Sequence, residues 1–300
     1  MAETAHLALR TEGILTKVDG IESMEQQIFN VRKGARVLDA FVDSLDWAEV
    51  LEVAGQWAQT QQSRYLCFCN VHSIVTATFQ SDAGDAVRGA DLALPDGMPV
   101  AWALRMLGFR KQPRIDGPTF MRRFCSDLQQ NGNSVFLYGN QQSTLDILCA
   151  NLTTMFPTLR IAGAISPPYR RLTPDEDDAI VNTINASGAS VLLVGLGCPK
   201  QELWMAEHRD RIRSLMAGVG AAFDYHAGTV TRAEPWMQAW GLEWFYRLTL
   251  EPRRLWRRYL VTNALFVVYL AIQLLTQALP RKRTFIAAPL HADLSHEGEA

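Results

Sequence analysis

The alternation of short apolar runs with longer stretches of helical periodicity is the feature that most constrains how this chain can fold. Most runs are rich in Val, Leu and Ile and apolar on both faces, which is typical of strands covered by helices on each side of a parallel sheet. The rhythm predicts an α/β fold with a mostly parallel sheet and helices on both faces. The predicted strands are residues 37–42, 64–71, 90–94, 134–138, 159–164, 190–195 and 214–218.

Capping signals locate two helix starts. Asp46 and Glu49 have the spacing of a capping pair, and Thr173 precedes a proline and an acidic run, which the helix dipole favours in a first turn. The acidic run 175–178 also contains Asp-x-Asp, the spacing of a sugar-nucleotide metal site. A helix N-terminus is the favoured interpretation of this run.

Composition excludes some classes of function. The formal net charge of −2 over 300 residues argues against a nucleic-acid partner bound by overall charge, so any basic function is local. The five cysteines are odd in number and lack CxxC spacing, which predicts reduced core thiols in a reducing cytoplasm; a reactive Cys67–Cys69 pair is the alternative.

Changes in composition predict four segments. Residues 1–35 form a flexible extension without the apolar core of a signal peptide, and residues 36–230 form one nucleotide-binding α/β domain. Residues 231–283 are a helical appendage rich in Trp and Arg, and residues 284–300 are a polar, disordered tail.

The carboxyl ends of the predicted strands are the expected place for a ligand. Asp96 follows such a strand end and precedes a glycine, so it is the candidate general base for a transfer reaction. The alternative is a structural Pro-Asp-Gly turn. Asp91 is the second carboxylate candidate, whereas His72 and His226 are more simply explained as hydrogen-bonded structural residues.

A glycine-rich turn at residues 195–202 is the candidate phosphate site. A strand runs through Gly195 and Gly197 into a helix, so backbone N–H groups and the positive helix end are available to a phosphate. Lys200 and Gln201 suit a pyrophosphate and a uracil edge, although a tight turn also needs glycine for backbone reasons. Asp224, in a loop of small residues, would contact a ribose or acceptor, or cap the next turn.

Several long motifs in order resemble the WecG/TagA/CpsF family of bacterial glycosyltransferases, glycosyltransferase family twenty-six. The resemblance covers about residues 37–259. It rests on Asn70, PDGMP at 95–99, RIDG at 114–117, GLGCPKQE at 195–202, GVGAAFD at 218–224 and GLEWFYRLTLEPRRLWRRY at 241–259.

The resemblance implies an inverting, metal-independent transferase with a Rossmann-like nucleotide domain and no cofactor. It implies a UDP-sugar donor and a polyprenyl-diphosphate-linked acceptor in exopolysaccharide or cell-envelope polysaccharide synthesis. Asp96 would be the base, and Arg114, Gln201 and Asn70 would line the donor site. The C-terminal arginines that match the family's appendage would bind the acceptor diphosphate and the membrane; they are Arg247, Arg254 and Arg257.

The chain departs from the family pattern at two positions. Phe68 and Thr119 stand where family members often carry Thr and Asp, which puts donor contacts there in doubt. Some relatives use N-acetylmannosamine-type donors, and the xanthan-type branch transfers glucose. The stretch CFCNVHS at 67–73 is nearer the xanthan-type branch.

The C-terminal segment has the character of a membrane-associating helix. Residues 259–280 contain no Asp, Glu, Lys or Arg and would form a helix about 30 Å long, one hydrocarbon thickness. Basic residues flank both ends, and spanning would export the cluster at 281–283 against the positive-inside tendency. We therefore expect a peripheral or monotopic helix at the cytoplasmic face of the inner membrane, with a single span and a buried or oligomer-forming helix as alternatives.

Two rivals accompany this interpretation. One is a non-catalytic nucleotide-sugar-binding scaffold of a polysaccharide assembly complex, which would not need both Asp96 and the PKQE motif. The other is a nicotinamide-dependent oxidoreductase, which would need a GxGxxG turn that the sequence lacks.

Overall fold

The computed structural model of the protein describes residues 32–278. The predicted tail at 284–300, the basic cluster at 281–283 and residues 1–31 of the predicted extension lie outside the described residues. Gly34 and Ala35, which the sequence prediction assigned to that extension, lie in a strand. From Gly34 onward the described residues form one compact unit.

The first apolar run forms a hairpin rather than a strand of the parallel sheet, so this prediction was wrong. Strands β1 (Gly34–Val37) and β2 (Ala40–Asp43) pair antiparallel. Leu38 reverses the chain with a φ of 55°, and its N–H donates to the Gln273 side-chain oxygen at 2.9 Å. A contact made 235 residues away therefore helps fix the turn.

Six strands form the central sheet, and every pairing in it is parallel. Their order is β4-β3-β8-β7-β5-β6, which confirms the predicted α/β class. The strands are β3 Tyr65–Cys69, β4 Leu92–Pro95, β5 Ser134–Gly139, β6 Arg160–Ile165, β7 Val191–Gly195 and β8 Leu215–Gly218.

Helices connect the strands and continue beyond the last one. The helix starts predicted at Asp46 and Thr173 are both confirmed, and each of these residues forms a reciprocal capping box with the glutamate three residues later. The helices are α1 Trp47–Gln59, α2 Val71–Phe79, α3 Ser81–Arg88, α4 Met98–Met106, α5 Gly117–Gln130, α6 Gln142–Met155, α7 Pro174–Ala186, α8 Lys200–Glu207, α9 Ala222–Ala227, α10 Pro235–Ala239, α11 Glu243–Leu250 and α12 Pro252–Ala278.

Two apolar layers cover the two faces of the sheet. Leu66 and Phe68 of β3 pack into the layer formed with α1, α5 and α6, whereas Tyr65 and Cys67 of the same strand pack into the layer formed with α2, α3, α8 and α12. This alternation along one strand is expected because successive side chains point to opposite faces. Helices on both faces leave the ends of the strands as the accessible part of the sheet.

The long helix α12 packs along the body and is exposed on its other side. Phe266 and Leu270 are buried in the apolar layer on one face of the sheet, and the Gln273 amide donates to the Arg36 carbonyl oxygen at 2.7 Å. The outer side carries exposed apolar side chains, including Leu260, Val261, Val268, Ile272 and Leu275. Residues Pro252–Gln277 are long and apolar enough to cross a membrane.

Candidate active site

A cavity of about 1670 Å³ opens at the carboxyl ends of the parallel strands. Asn70 follows β3, Asp96 follows β4, Asn140 follows β5, and Gly195 and Gly218 end β7 and β8; all five line the cavity. Ligands of open parallel sheets bind at this edge. The cavity is therefore the candidate active site, and it brings Asp96 and the glycine-rich turn of residues 195–202 together.

Asp96 lies at the rim of the cavity, with 19% of its side chain exposed. Its backbone N–H donates to the Cys69 carbonyl at 3.1 Å, which fixes the chain direction directly after β4. Burial raises the pKa of the Asp96 carboxyl to about 7; the positive charge of Arg114 opposes this shift, while Asp116 and Glu243 add to it. A carboxyl with such a pKa is suited to accepting a proton near neutral pH.

Arg114, predicted to contact the donor, is bonded to Asp96 in this structure. Its Nε donates to the Asp96 backbone oxygen at 3.0 Å, and its Nη2 lies 3.3 Å from the Asp96 carboxylate and 2.6 Å from that of Glu243. Burial lowers the pKa of Arg114, but the carboxylates around it raise this pKa overall. Arg114 thus orients Asp96, and its predicted contact with the donor stays a prediction.

Asn70 and Asp224 both line the cavity, and each also has a local role. Their predicted contacts with the donor stay predictions. The Asn70 side-chain oxygen caps α2 by accepting from the Ser73 N–H at 3.2 Å. Asp224 accepts from the Asn140 side-chain amide at 2.9 Å, across the cavity floor from β5 to α9.

The turn after β7 owes its shape to close packing. A Cβ on Gly195 would lie 2.6 Å from the Phe223 ring, so only glycine fits there. Gly197 has a φ of 78°, which favours glycine for backbone reasons. A Cβ built on Gly197 would meet open space, so its side faces the cavity rather than protein.

Gln201 is buried and holds two loops together. Its side-chain oxygen accepts from the Gly197 N–H at 3.1 Å, and its amide donates to the Gly218 carbonyl at 2.7 Å and to the Glu202 carboxylate at 3.0 Å. This amide is hydrogen-bonded within the protein, and its predicted contact with uracil stays a prediction. Lys200 begins α8, lines the cavity and stacks its ammonium 4.5 Å from the Tyr169 ring centre.

A basic wall closes the cavity on the side of the appendage. Arg247, Arg254 and Arg258 line the cavity, whereas Arg257 is exposed and is absent from the lining found among the described residues. Arg258 was not among the predicted site residues. Burial lowers its pKa, and its Nε has no hydrogen-bond partner within the part of the chain that the structure describes. A buried guanidinium N–H of this kind is suited to an anionic ligand.

The structure removes several of the other candidates. Asp91 lies at the amino end of β4, away from the cavity, and is buried between Arg64 and Arg209 at 2.9 and 2.8 Å; its prediction as a second base was therefore wrong. His226 is held to the Pro118 carbonyl at 2.9 Å, as expected of a structural histidine. In the acidic run, Asp177 pairs with His208 and Arg211, and Asp178 with Arg211.

Sequence reasoning missed the contribution of Glu243. This carboxylate begins α11 and enters the cavity beside Arg114, with 15% of its side chain exposed. It stands within the family-like motif at 241–259, but nothing in its spacing indicates that it would approach Asp96.

Comparison with known proteins gives a consistent result. The model of the Glycosyl transferase WecG/TagA/CpsF family matches residues 35–280. An N-acetylglucosaminyldiphosphoundecaprenol N-acetyl-beta-D-mannosaminyltransferase of Bacillus subtilis (strain 168) is 29% identical over 180 residues, covering 60% of this chain and 68% of that relative. The chain belongs to the WecG/TagA/CpsF family and is a glycosyltransferase.

Proposed function

We propose that this glycosyltransferase moves a sugar from a UDP-sugar to a polyprenyl-diphosphate-linked saccharide in bacterial cell-envelope or exopolysaccharide synthesis, with inversion. The observation that carries the proposal is that one cavity is lined by three features: the Asp96 carboxyl, whose pKa is about 7, a glycine-rich turn at the start of a helix, and several arginines. The similarity to an enzyme named for a diphosphoundecaprenol acceptor supports this class of acceptor.

Asp96 is the proposed base. The acceptor hydroxyl gives its proton to the Asp96 carboxylate as its oxygen attacks the anomeric carbon of the donor from the face opposite the nucleotide. The new carbon–oxygen bond forms as the bond from the anomeric carbon to the β-phosphate oxygen breaks, and UDP leaves with the bonding electrons. The proton then passes from Asp96 to solvent, which restores the carboxylate.

The donor diphosphate and the acceptor diphosphate have separate proposed sites. The N–H groups around Gly197 and the start of α8, with Lys200, receive the donor diphosphate and stabilise the charge that develops on UDP. Arg247, Arg254 and Arg258 receive the acceptor diphosphate from the other side. In this proposal, fixed cationic side chains and backbone dipoles offset the charge, and no metal or cofactor takes part.

The membrane interface is the proposed location. The apolar outer side of α12 is compatible with membrane association, and its inner side contacts the α/β domain from Phe266 to Gln273. A span would have to break these contacts, so we favour a helix lying in the cytoplasmic interface. Arg253 and Arg257 are exposed beside Trp256, where they would meet anionic head groups.

The catalytic part of the proposal is tested with Asp96→Asn. We expect at least about a 100-fold loss of transfer to a synthetic lipid-diphosphate acceptor, because the base is lost, with UDP affinity changed less than about twofold. Asp82→Asn, an exposed carboxylate of α3, is the matched control. Retained turnover in Asp96→Asn would remove this residue from the base role, and a screen of UDP-sugars with the same acceptor identifies the donor.

The membrane part is tested on the full chain with anionic vesicles. Serine at three exposed positions of α12 should release the protein from sedimenting vesicles while leaving its far-UV spectrum and UDP affinity unchanged. Unchanged sedimentation would refute the interfacial placement. The positions are Leu260, Val268 and Leu275.

A further inference from the structure

A carboxylate from the appendage is joined to the proposed base through one shared arginine. Glu243 stands at the first position of α11, in the segment after the last strand of the sheet. Arg114 Nη2 lies 2.6 Å from the Glu243 carboxylate and 3.3 Å from that of Asp96, and Arg114 Nε is bonded to the Asp96 backbone oxygen at 3.0 Å. The three side chains are all largely buried, with 14% to 19% exposed.

The carboxylates around Arg114 outnumber the arginines that can pair with them. The titratable and charged groups that act on Asp96 are Arg114 and Asp116 from the segment leading into α5 and Glu243 from α11, and the Cys69 thiol of β3 lies close by. Asp116 has its own partners, because Arg232 and the N–H and hydroxyl of Thr119 bond to it.

Glu243 is also held from a second side. Arg232 Nε lies 3.8 Å from the Glu243 carboxylate, so two guanidinium groups contact this residue, whereas Asp96 has only a share of one among the described residues. The geometry therefore assigns different tasks to two carboxylates in one cavity. Asp96 interacts with one arginine, Arg114, which it shares with Glu243. Glu243 interacts with both Arg114 and Arg232 and holds them in place.

We propose that Glu243 is a positioning residue of the transfer reaction: it anchors Arg114 and so sets both the orientation of Asp96 and the pH range in which Asp96 accepts a proton. This inference rests on the proposed role of Asp96 as the base. It also means that the appendage takes part in proton transfer, because the base is only complete when α11 is docked on the α/β domain.

The direction of the effect follows from the charges. The negative charge of Glu243 raises the pKa of the Asp96 carboxyl, and the positive charge of Arg114 lowers it. Removing the charge of Glu243 takes away a negative charge near Asp96 and leaves Arg114 paired with Asp96 alone. Both effects lower the pKa of the Asp96 carboxyl. A carboxylate with a lower pKa is a weaker base, so the maximal rate also falls.

The test is the pH profile of kcat/KM for the full chain with a UDP-sugar and a lipid-diphosphate acceptor. In the wild type we expect an acid limb near pH 7, the pKa of Asp96. In Glu243→Gln the limb should move down by about one pH unit, with kcat reduced about tenfold. UDP affinity should change by less than about twofold, because Glu243 acts on the base rather than on the donor.

Three further variants make the result specific. Glu243→Asp keeps the charge and should keep the limb within about 0.3 pH unit of the wild type. Glu243→Ala is measured in parallel, so that a folding defect in one neutral variant does not end the test. Glu234→Gln removes an exposed carboxylate from the same appendage and should leave both the limb and kcat unchanged.

The outcomes separate this inference from the proposed function. If Asp96→Asn abolishes transfer but the neutral Glu243 variants keep the wild-type limb, or if their loss appears only in the KM for the donor, Glu243 is not a positioning residue. If the wild type transfers no sugar from any UDP donor, or if Asp96→Asn retains turnover, the proposed function itself fails.

Discussion

Replacing Gln201 by methionine tests whether this residue supports the nucleotide site or contacts the nucleotide. Gln201 has 4% of its surface exposed, and its amide joins the turn after β7 to the end of β8. Methionine has a similar length but no amide. The Gly218 carbonyl then loses the Gln201 amide as its donor, the Glu202 carboxylate loses one of its donors, and the Gly197 N–H loses its acceptor.

The expected cost can be worked from these contacts. Gly218 is buried, so water cannot replace the lost donor at its carbonyl oxygen. Glu202 keeps the hydrogen bonds from its own backbone N–H and from the Cys198 side chain. A buried acceptor that loses its partner costs about 1–3 kcal/mol, so the Gly218 carbonyl sets the expected cost. The Gly197 N–H is only half-buried and can bond to water. For a chain of this size, the loss corresponds to a fall in Tm of about 2–10 °C.

Differential scanning calorimetry and UDP titration separate the two roles. If Gln201 supports the loops, Gln201→Met lowers Tm, and UDP binding weakens because the Gly197 turn is no longer held. Gln80→Met replaces an exposed glutamine that makes no helix-cap bond and should change stability by less than about 0.5 kcal/mol. An unchanged Tm with UDP affinity reduced tenfold or more would refute the reasoning and favour a direct contact with the donor.

Three further substitutions test other parts of the structure. Asp91→Asn breaks a buried ion-pair network and should cost about 3 kcal/mol in chemical denaturation, with kcat per folded molecule unchanged; a loss of kcat without a loss of stability would return Asp91 to catalysis. Gly195→Ala forces a methyl group against the Phe223 ring and should cost about 1–3 kcal/mol and weaken UDP binding, whereas a wild-type Tm would contradict the packing argument. Burial, with a smaller effect of Arg258, lowers the pKa of His72 to about 4, below its ordinary value of about 6.5, so the unfolded chain binds more protons at this site and stability falls as the pH drops through this window. His72→Gln should lose less stability than the wild type between about pH 6.5 and 4, and equal losses would show that His72 does not contribute.

The sequence was sufficient to predict the parallel sheet, because a strand buried on both faces is apolar along its whole length. Strands such as β5 and β7 are continuous apolar runs, and each is followed by a glycine or polar residue that the fold places at one edge. The capping boxes at Asp46 and Thr173 were also predictable, because a cap depends on residues only three positions apart. The placement of Asp96 at the cavity followed from the same rule about strand ends.

The sequence could not determine features that depend on distant contacts. Residues 37–42 have the composition of a buried strand, but the turn at Leu38 is bonded to Gln273 at the far end of the chain. Asp91 and Asp96 are both near an apolar run, and only the direction and register of β4 place one at each end of the sheet. The role of Gln201 was equally hidden, because its partner Gly218 comes from another strand.

The appendage shows the same division between local pattern and tertiary contact. The sequence alone determined that it would be helical, aromatic and basic, because these properties are set by composition and spacing. Arg257 and Arg258 are three and four residues after Arg254, so helical spacing places both beside it and cannot choose between them. The packing of Phe266 and Leu270 against the α/β domain fixes the rotation of α12 about its axis, and that rotation directs Arg258 into the cavity and leaves Arg257 exposed.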